Sequence, residues 1–335
     1  MLLYVSETAG SGAWRLVDVL EKKFGFKRCS AEGRSVDLVV EEATARFTEN
    51  WVLSGELGLE ELQKLEKRPF FAHITIDAAL KLRVAGFGVK KTAESGSGTS
   101  AGATADAEES IGSQLQALVE HTEQQLERNP SLPLVLGRAD IKFYVRTRDK
   151  LDFDCLAHEL ERHLREINQG RDVRVPYHNT TPLRPDWDTY FMKLATLAAS
   201  RSNCMKRRVG CVIVRDCRVI ATGYNGTPRH LVNCHSGGCP RCNNGDAQLH
   251  ACLCLHAEEN ALLEAGRDRV GPNATLYCDT CPCLTCSVKI VQTGIREVVY
   301  SQSYRMDEAS FKVLQEGGVL VRQFSVLESP RYTVL

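Results

Sequence analysis

The chain has no net charge. Lys plus Arg number 42 and Asp plus Glu number 42 in 335 residues, so no overall field draws it toward nucleic acid or an anionic membrane, and any phosphate must be held by a local cluster. It also lacks a basic stripe interleaved with aromatics, which argues against a nucleic-acid partner. No apolar run reaches bilayer-spanning length, and Met1 to Val5 is apolar for only five residues before Ser6 and Glu7, too few for a secretory core. The reading is a cytoplasmic protein without a membrane partner, with the nucleus as a second permitted compartment. No internal repeat relates its halves. The opening strand, glycine-containing loop and helix have the order of a phosphate-binding loop, yet the Gly-x-x-x-x-Gly-Lys-Ser/Thr pattern is missing. Ser6, Ser11, Gly12, and Ala13 or Trp14 stand where the two glycines, the lysine and the hydroxyl belong, so no lysine reaches a β- or γ-phosphate.

What is present divides into two parts. The length suggests two domains, each able to bury a core. Over residues 1–167, strand-like runs (Leu2 to Val5, Asp37 to Val40, Phe70 to Ile76, Asp140 to Val145) alternate with helical ones (Trp14 to Phe24, Ala78 to Phe87, Ser110 to Asn129, Leu151 to Ile167). That alternation predicts an α/β layer fold with a mostly parallel sheet. Residues 92–107 are almost all small or polar and read as a flexible insertion; residues 168–184, with no hydrophobic period, read as a linker. From 185 to 328 the order is helix, hairpin (turning at Asp216 and Cys217), helix, strand, helix, strand, helix, strand. It predicts a five-stranded mixed sheet covered by helices on both faces, an α/β/α sandwich.

Twelve of the 14 cysteines fall from Cys204 to Cys286. In a reducing compartment such crowding points to metal ligation before disulfides. The most specific pattern is His256-Ala257-Glu258 followed by Pro282-Cys283-Leu284-Thr285-Cys286. One imidazole and two thiolates fill three positions of a tetrahedral zinc and leave the fourth for water, the mark of a catalytic site. Cys283 and Cys286, three apart at a helix start, share one face, and the helix dipole favours their thiolates. Glu258 is too far around its helix to be a ligand and suits a proton shuttle beside the water. The competing reading is a closed structural zinc site completed by Cys278 or Cys281.

These motifs are the known signature of zinc deaminases acting on nucleobases, and the sequence resembles the cytidine and deoxycytidylate deaminase superfamily. Gly223-Tyr224-Asn225-Gly226-Thr227-Pro228 and the Tyr300 to Tyr304 stretch with Asp307-Glu308-Ala309 extend the match over nearly all of residues 185–326. Cys239-Pro240-Arg241-Cys242 and Cys252-Leu253-Cys254 make it most similar to the fungal deoxycytidylate deaminases. The resemblance implies a cytidine-deaminase-like fold and hydrolytic deamination of dCMP to dUMP, supplying dTMP synthesis. It implies His256, Cys283 and Cys286 on zinc, zinc-activated hydroxide attacking C4, and Glu258 carrying the proton. Asn225 would sit at the sugar, with Tyr224 and Gly226 in the same loop and Tyr304 near the base. It further implies a homohexamer activated by dCTP and inhibited by dTTP, both with Mg2+, and an N-terminal domain like a degenerate P-loop nucleotide kinase, for which Arg68-Pro69-Phe70-Phe71 and Ile76-Asp77-Ala78 also speak. For the monophosphate, Arg201, Arg207, Arg208 and Arg229 flank the hairpin and loop, and guanidinium suits phosphate. The alternatives are a deaminase of tRNA or single-stranded DNA, and a catalytically silent nucleotide sensor.

Cys204, Cys234, Cys239, Cys242, Cys252 and Cys254, with His235 and His250, form a second group containing a Cys-x-x-Cys pair. They predict a second, non-catalytic zinc whose four ligands the spacing leaves open.

Overall fold

A computed structural model of the protein describes residues 1–31, 33–46, 49–85, 87, 106–146, 158–160, 162, 184–244, 252–303, 308–326 and 331–334. The chain forms two compact units, Met1–Arg184 with Glu328–Leu335, and Pro185–Leu327. Most of the expected insertion and linker, and the run Leu151 to Ile167 apart from residues 158–160 and 162, lie outside the described residues.

The first unit is built from β1 (Leu2–Glu7), α1 (Ala13–Phe24), β2 (Lys27–Ser30), α2 (Val36–Ala45), β3 (Trp51–Ser54), α3 (Leu59–Glu66), β4 (Phe71–Ala78), α4 (Asp106–Arg128), α5 (Leu132–Gly137) and β5 (Ile141–Val145). Its sheet also takes β11 (Arg331–Val334), in the order β11-β5-β4-β1-β3-β2, every pair parallel. Parallel sheets need both faces covered, so their strands carry continuous apolar runs. β1 does: Leu3 and Val5 pack with Leu16 and Leu20 of α1 on one face, while Leu2 and Tyr4 pack with Val36, Val39, Leu62 and Leu65 of α2 and α3 on the other.

The expected strand at Asp37 to Val40 is instead the start of α2. Val36, Val39, Val40 and Ala43 are its buried residues, a helical spacing, and the Ser35 hydroxyl caps the start by accepting from the Asp37 amide. The strands there are β2 and β3, on either side.

The second unit runs α6 (Trp187–Ala199), β6 (Gly210–Arg215), β7 (Arg218–Tyr224), α7 (Pro240–Asn243), α8 (Ala257–Val270), β8 (Thr275–Thr280), α9 (Leu284–Thr293), β9 (Glu297–Gln302), α10 (Glu308–Glu316) and β10 (Leu320–Gln323). Its sheet is the expected mixed one of five strands, ordered β10-β9-β8-β6-β7. β6 is antiparallel to β7 and β8; β8, β9 and β10 run parallel. Asp216 and Cys217 both have positive φ, 51° and 56°, the geometry of the two-residue turn that matches strand twist. Cys211 and Ile213 face Ala257 and Ala261 of α8, while Val212 and Val214 face Phe191, Met192 and Ala195 of α6. The small residues of α8 let it lie close on β6 and β7, and the site is built at its first turn. No described helix is long and apolar enough to cross a membrane.

Candidate active site

Two helix starts meet. His256 is the N-cap of α8 and Cys283 the N-cap of α9. His256 Nδ1 lies 3.3 Å from Cys283 Sγ and 3.4 Å from Cys286 Sγ. Bond lengths of roughly 2.0–2.1 Å to nitrogen and 2.3 Å to sulfur in a tetrahedron put such atoms about 3.6 Å apart, so the three donors fit zinc. They form a three-ligand group that neither Cys278 nor Cys281 joins. Cys278 is instead in the core opposite Cys211, and the Cys281 thiol turns to the Pro282 carbonyl. The donor set is therefore that of an open site.

Glu258 follows in the first turn of α8 and is 4% exposed. Burial, joined by the charges of Cys283 and Asp279, raises its carboxyl to about 7, against the opposing pull of its backbone amide and His256. Cys283 is drawn down to about 3, first by the hydrogen bond from Cys286 and then by His256 and Thr285. His256 is raised, chiefly by its bond to Cys283.

One residue further on, Glu259 joins the two helices. Its carboxylate accepts from the His256 amide at 3.1 Å and pairs through its other oxygen with Lys289 of α9. The sequence reading passed over both residues, although a glutamate three after a helix cap is the capping-box spacing. The turn before Cys283 is held as well: Ser310 of α10 donates to the Pro282 carbonyl at 2.8 Å.

The Gly223 to Pro228 loop is fitted against this centre. A side chain at Gly223 would come within 2.2 Å of the Ala257 carbonyl and 2.5 Å of the Ala261 amide, so glycine is required for β7 to approach α8. Gly226 forms a two-bond bridge with Leu255, the residue before His256. Asn225 is buried; its Oδ1 accepts from the Ser202 hydroxyl (2.6 Å) and the Val209 amide (2.8 Å), and its Nδ2 donates to the Arg207 carbonyl (2.8 Å). Most of its hydrogen-bonding capacity thus goes to the protein. The Tyr224 carbonyl accepts from Asn260 of α8. Arg207 is half-buried and donates to Gln302 Oε1 at 2.7 Å, whereas Arg229, 88% exposed, makes a long 3.8 Å pair with Glu264. Arg201 and Arg208 are exposed, and Tyr304 lies outside the described residues.

The other cysteines gather elsewhere in this unit. Cys204, Cys234, Cys242 and Cys254 form one group, and Cys239, Cys242, Cys252 and Cys254 a second. His235 is exposed and joins neither; His250 is outside the described residues.

In the first unit, the strand-to-helix loop is occupied by its own acid. Glu7 Oε2 accepts from the Ala13 amide at 2.8 Å, taking the helix-start donor that a phosphate would use. A cavity of about 500 Å³ beside it is lined by Arg28 but also by Glu7 and Glu56, and by no lysine.

Residues 185–302 match the family described as the cytidine and deoxycytidylate deaminase zinc-binding region. The chain is 51% identical to a deoxycytidylate deaminase of Saccharomyces cerevisiae over the whole length of both. It is 44% identical to one of Schizosaccharomyces pombe over 94% of each. The crystal structure of a dCMP deaminase from the cyanophage S-TIM5, in complex with dCMP and dUMP, is similar over 42% of this chain and 98% of that one, at 33% identity and a TM-score of 0.37. With full-length relatives of one kind and a matching family model, and with three donors spaced as zinc requires, this chain belongs to the deoxycytidylate deaminases of the zinc-binding cytidine and deoxycytidylate deaminase family.

Proposed function

We infer that the protein hydrolyses dCMP to dUMP and ammonia, providing dUMP for dTMP synthesis. The observation that carries the chemistry is Glu258, a carboxyl only 4% exposed in the first turn of the helix that His256 caps, next to the three-donor group of His256, Cys283 and Cys286. Zinc, when bound by those three residues, supplies the Lewis acidity that makes water a nucleophile near neutral pH. Glu258 does the proton work. As a carboxylate it accepts a proton from the attacking water and delivers it to ring N3; it then takes the second proton from the new C4 hydroxyl and gives it to the amine, which leaves as ammonia as the C4 carbonyl forms.

The Gly223 to Pro228 loop forms the sugar side of the site. Asn225 acts first as the residue that holds the loop's shape, with one amide hydrogen left over, and Tyr224 and Gly226 line the same loop. Of the arginines, Arg207 is the best placed for the monophosphate, because Gln302 already orders it; Tyr304 remains the candidate at the base. The family resemblance supports a hexamer regulated by dCTP and dTTP with Mg2+, and a degenerate kinase-like first domain in the cytoplasmic protein. The Glu7 contact supports a first domain without kinase activity.

The test is turnover of dCMP, CMP, deoxycytidine and single-stranded DNA in parallel, followed as loss of cytosine absorbance, with and without dCTP and Mg2+. Turnover of dCMP far above the others supports the assignment, and its rise with dCTP supports the regulation. Deamination of the DNA with none of dCMP would overturn the assignment.

A further inference from the structure

Outside the catalytic centre, six thiols converge in an arrangement that one metal ion cannot satisfy. In each of the two groups all four sulfurs lie within 4.8 Å of one another, and the groups share Cys242 and Cys254. All six cysteines are free. Cys204 Sγ is 3.9 Å from Cys242 Sγ, and Cys239 Sγ is 3.9 Å from Cys252 Sγ. That is far beyond the roughly 2.05 Å of a disulfide and close to the about 3.8 Å edge of a zinc-thiolate tetrahedron with Zn–S bonds near 2.3 Å.

We propose that these residues hold two zinc ions, bridged by the thiolates of Cys242 and Cys254. Cys204 and Cys234 are the terminal ligands of one ion, and Cys239 and Cys252 those of the other. A single ion in either group would leave the other terminal pair as free thiols against its own ligands. Charge favours filling both. One dication with four thiolates carries −2, and two dications with six thiolates also carry −2, so the second ion captures two more sulfurs without adding net charge to a cluster in which Cys234 and Cys239 are fully buried. The backbone donors agree with the division of roles. The Met205 amide donates to Cys234 Sγ and the Leu253 amide to Cys239 Sγ, each at 3.4 Å. Both acceptors are terminal ligands, one on each ion, whereas a bridging sulfur directs its lone pairs to two metals.

The cluster ties together three stretches that frame the catalytic centre. Cys204 follows Ser202, which donates to Asn225. Cys234, Cys239 and Cys242 lie in the turn and short α7 after the Gly223 to Pro228 loop. Cys252 and Cys254 lead directly into Leu255, which bridges Gly226, and His256. The metals thus act as positioning elements, replacing a hydrophobic core that these polar segments lack.

Zinc content and zinc X-ray absorption of the purified full chain, dialysed against chelating resin, test this. Three zinc ions per chain and a zinc–zinc scattering path are expected. Cys283→Ser with Cys286→Ser should lower the count to two and retain the path, which separates this cluster from the catalytic site whatever the substrate proves to be. Cys239→Ser with Cys252→Ser should lower the count to two and abolish the path. Two zinc ions per wild-type chain, or three without a zinc–zinc path, would overturn the proposal.

Discussion

Replacing Gly223 with alanine tests how closely the catalytic helix must lie on its sheet. The added methyl would sit 2.2 Å from the Ala257 carbonyl and 2.5 Å from the Ala261 amide. Both are backbone atoms of α8 that cannot rotate away, so restoring ordinary contact near 3.4 Å moves the helix start by about 1.2 Å. Glu258 is the next residue, and His256 caps the same turn. A displacement of roughly 1 Å in a catalytic group costs on the order of 100-fold in rate, and forced overpacking costs about 1–3 kcal/mol in stability. The expected result for Gly223→Ala is therefore a kcat for dCMP lowered at least about tenfold, with a lower Tm, in protein that still folds. Because Gly223 also opens the loop on the sugar side and Gly226 is bonded to Leu255 beside the helix start, KM for dCMP should rise as well as kcat fall. A variant with kcat within twofold of the parent and an unchanged Tm would refute the claim that this contact sets the position of Glu258.

Glu258→Gln keeps the shape and removes the proton carrier; kcat should fall by about 10²–10⁴ while metal analysis shows the catalytic zinc retained, and near-normal turnover would remove Glu258 from the mechanism. Breaking the Glu259–Lys289 link with Glu259→Ala removes a helix cap and an inter-helix ion pair, and should lower stability by about 1 kcal/mol and weaken zinc retention in chelator competition; unchanged zinc release would make the pair incidental. Asn225→Ala removes the partner of the half-buried Val209 amide and Arg207 carbonyl, at a cost of about 1 kcal/mol or more by denaturant unfolding, with a raised KM for dCMP. In the first unit, His73 is 1% exposed, stacked on Tyr4 and bonded to Ser6, and burial holds it down to about 3. Its stabilising effect is complete above the ordinary histidine pKa near 6.5 and is lost as pH falls, about 2 kcal/mol by pH 5. Protection factors of the β1 and β4 amides, corrected for the intrinsic pH dependence of exchange, should fall accordingly, and His73→Gln should flatten that dependence; identical pH profiles for the two proteins would exclude the histidine as its source.

Much of the second unit was readable because its information is local. Asp216 and Cys217 announce their turn, Cys283 and Cys286 are three apart and so share one face of a helix, and Glu258, two residues after His256, stays in the same first turn but points in another direction, which is why it reads as a proton carrier and not a ligand. The fold of the second sheet followed from the same regular alternation. Reading failed where a short apolar run fits two periods. Asp37 to Val40 suits a strand by composition, and only the burial of Val36, Val39, Val40 and Ala43 on one side settled it as helix. The place of β11 was equally hidden: four residues after the second unit pair with Ile141–Val145 of the first unit's sheet, a partnership separated by almost 200 positions that no local pattern encodes. Asn225 carried a motif's signal, but that its hydrogen bonds turn inward is a matter of which backbone atoms the fold brings round it. The cysteines mark the same boundary. Composition and a Cys-x-x-Cys pair marked a candidate metal-binding region, because thiolate crowding is a property of the sequence; which sulfurs stand within 4.8 Å of which, and that two of them belong to both groups, is a distance between segments up to 50 residues apart, and distances of that kind exist only once the chain has folded.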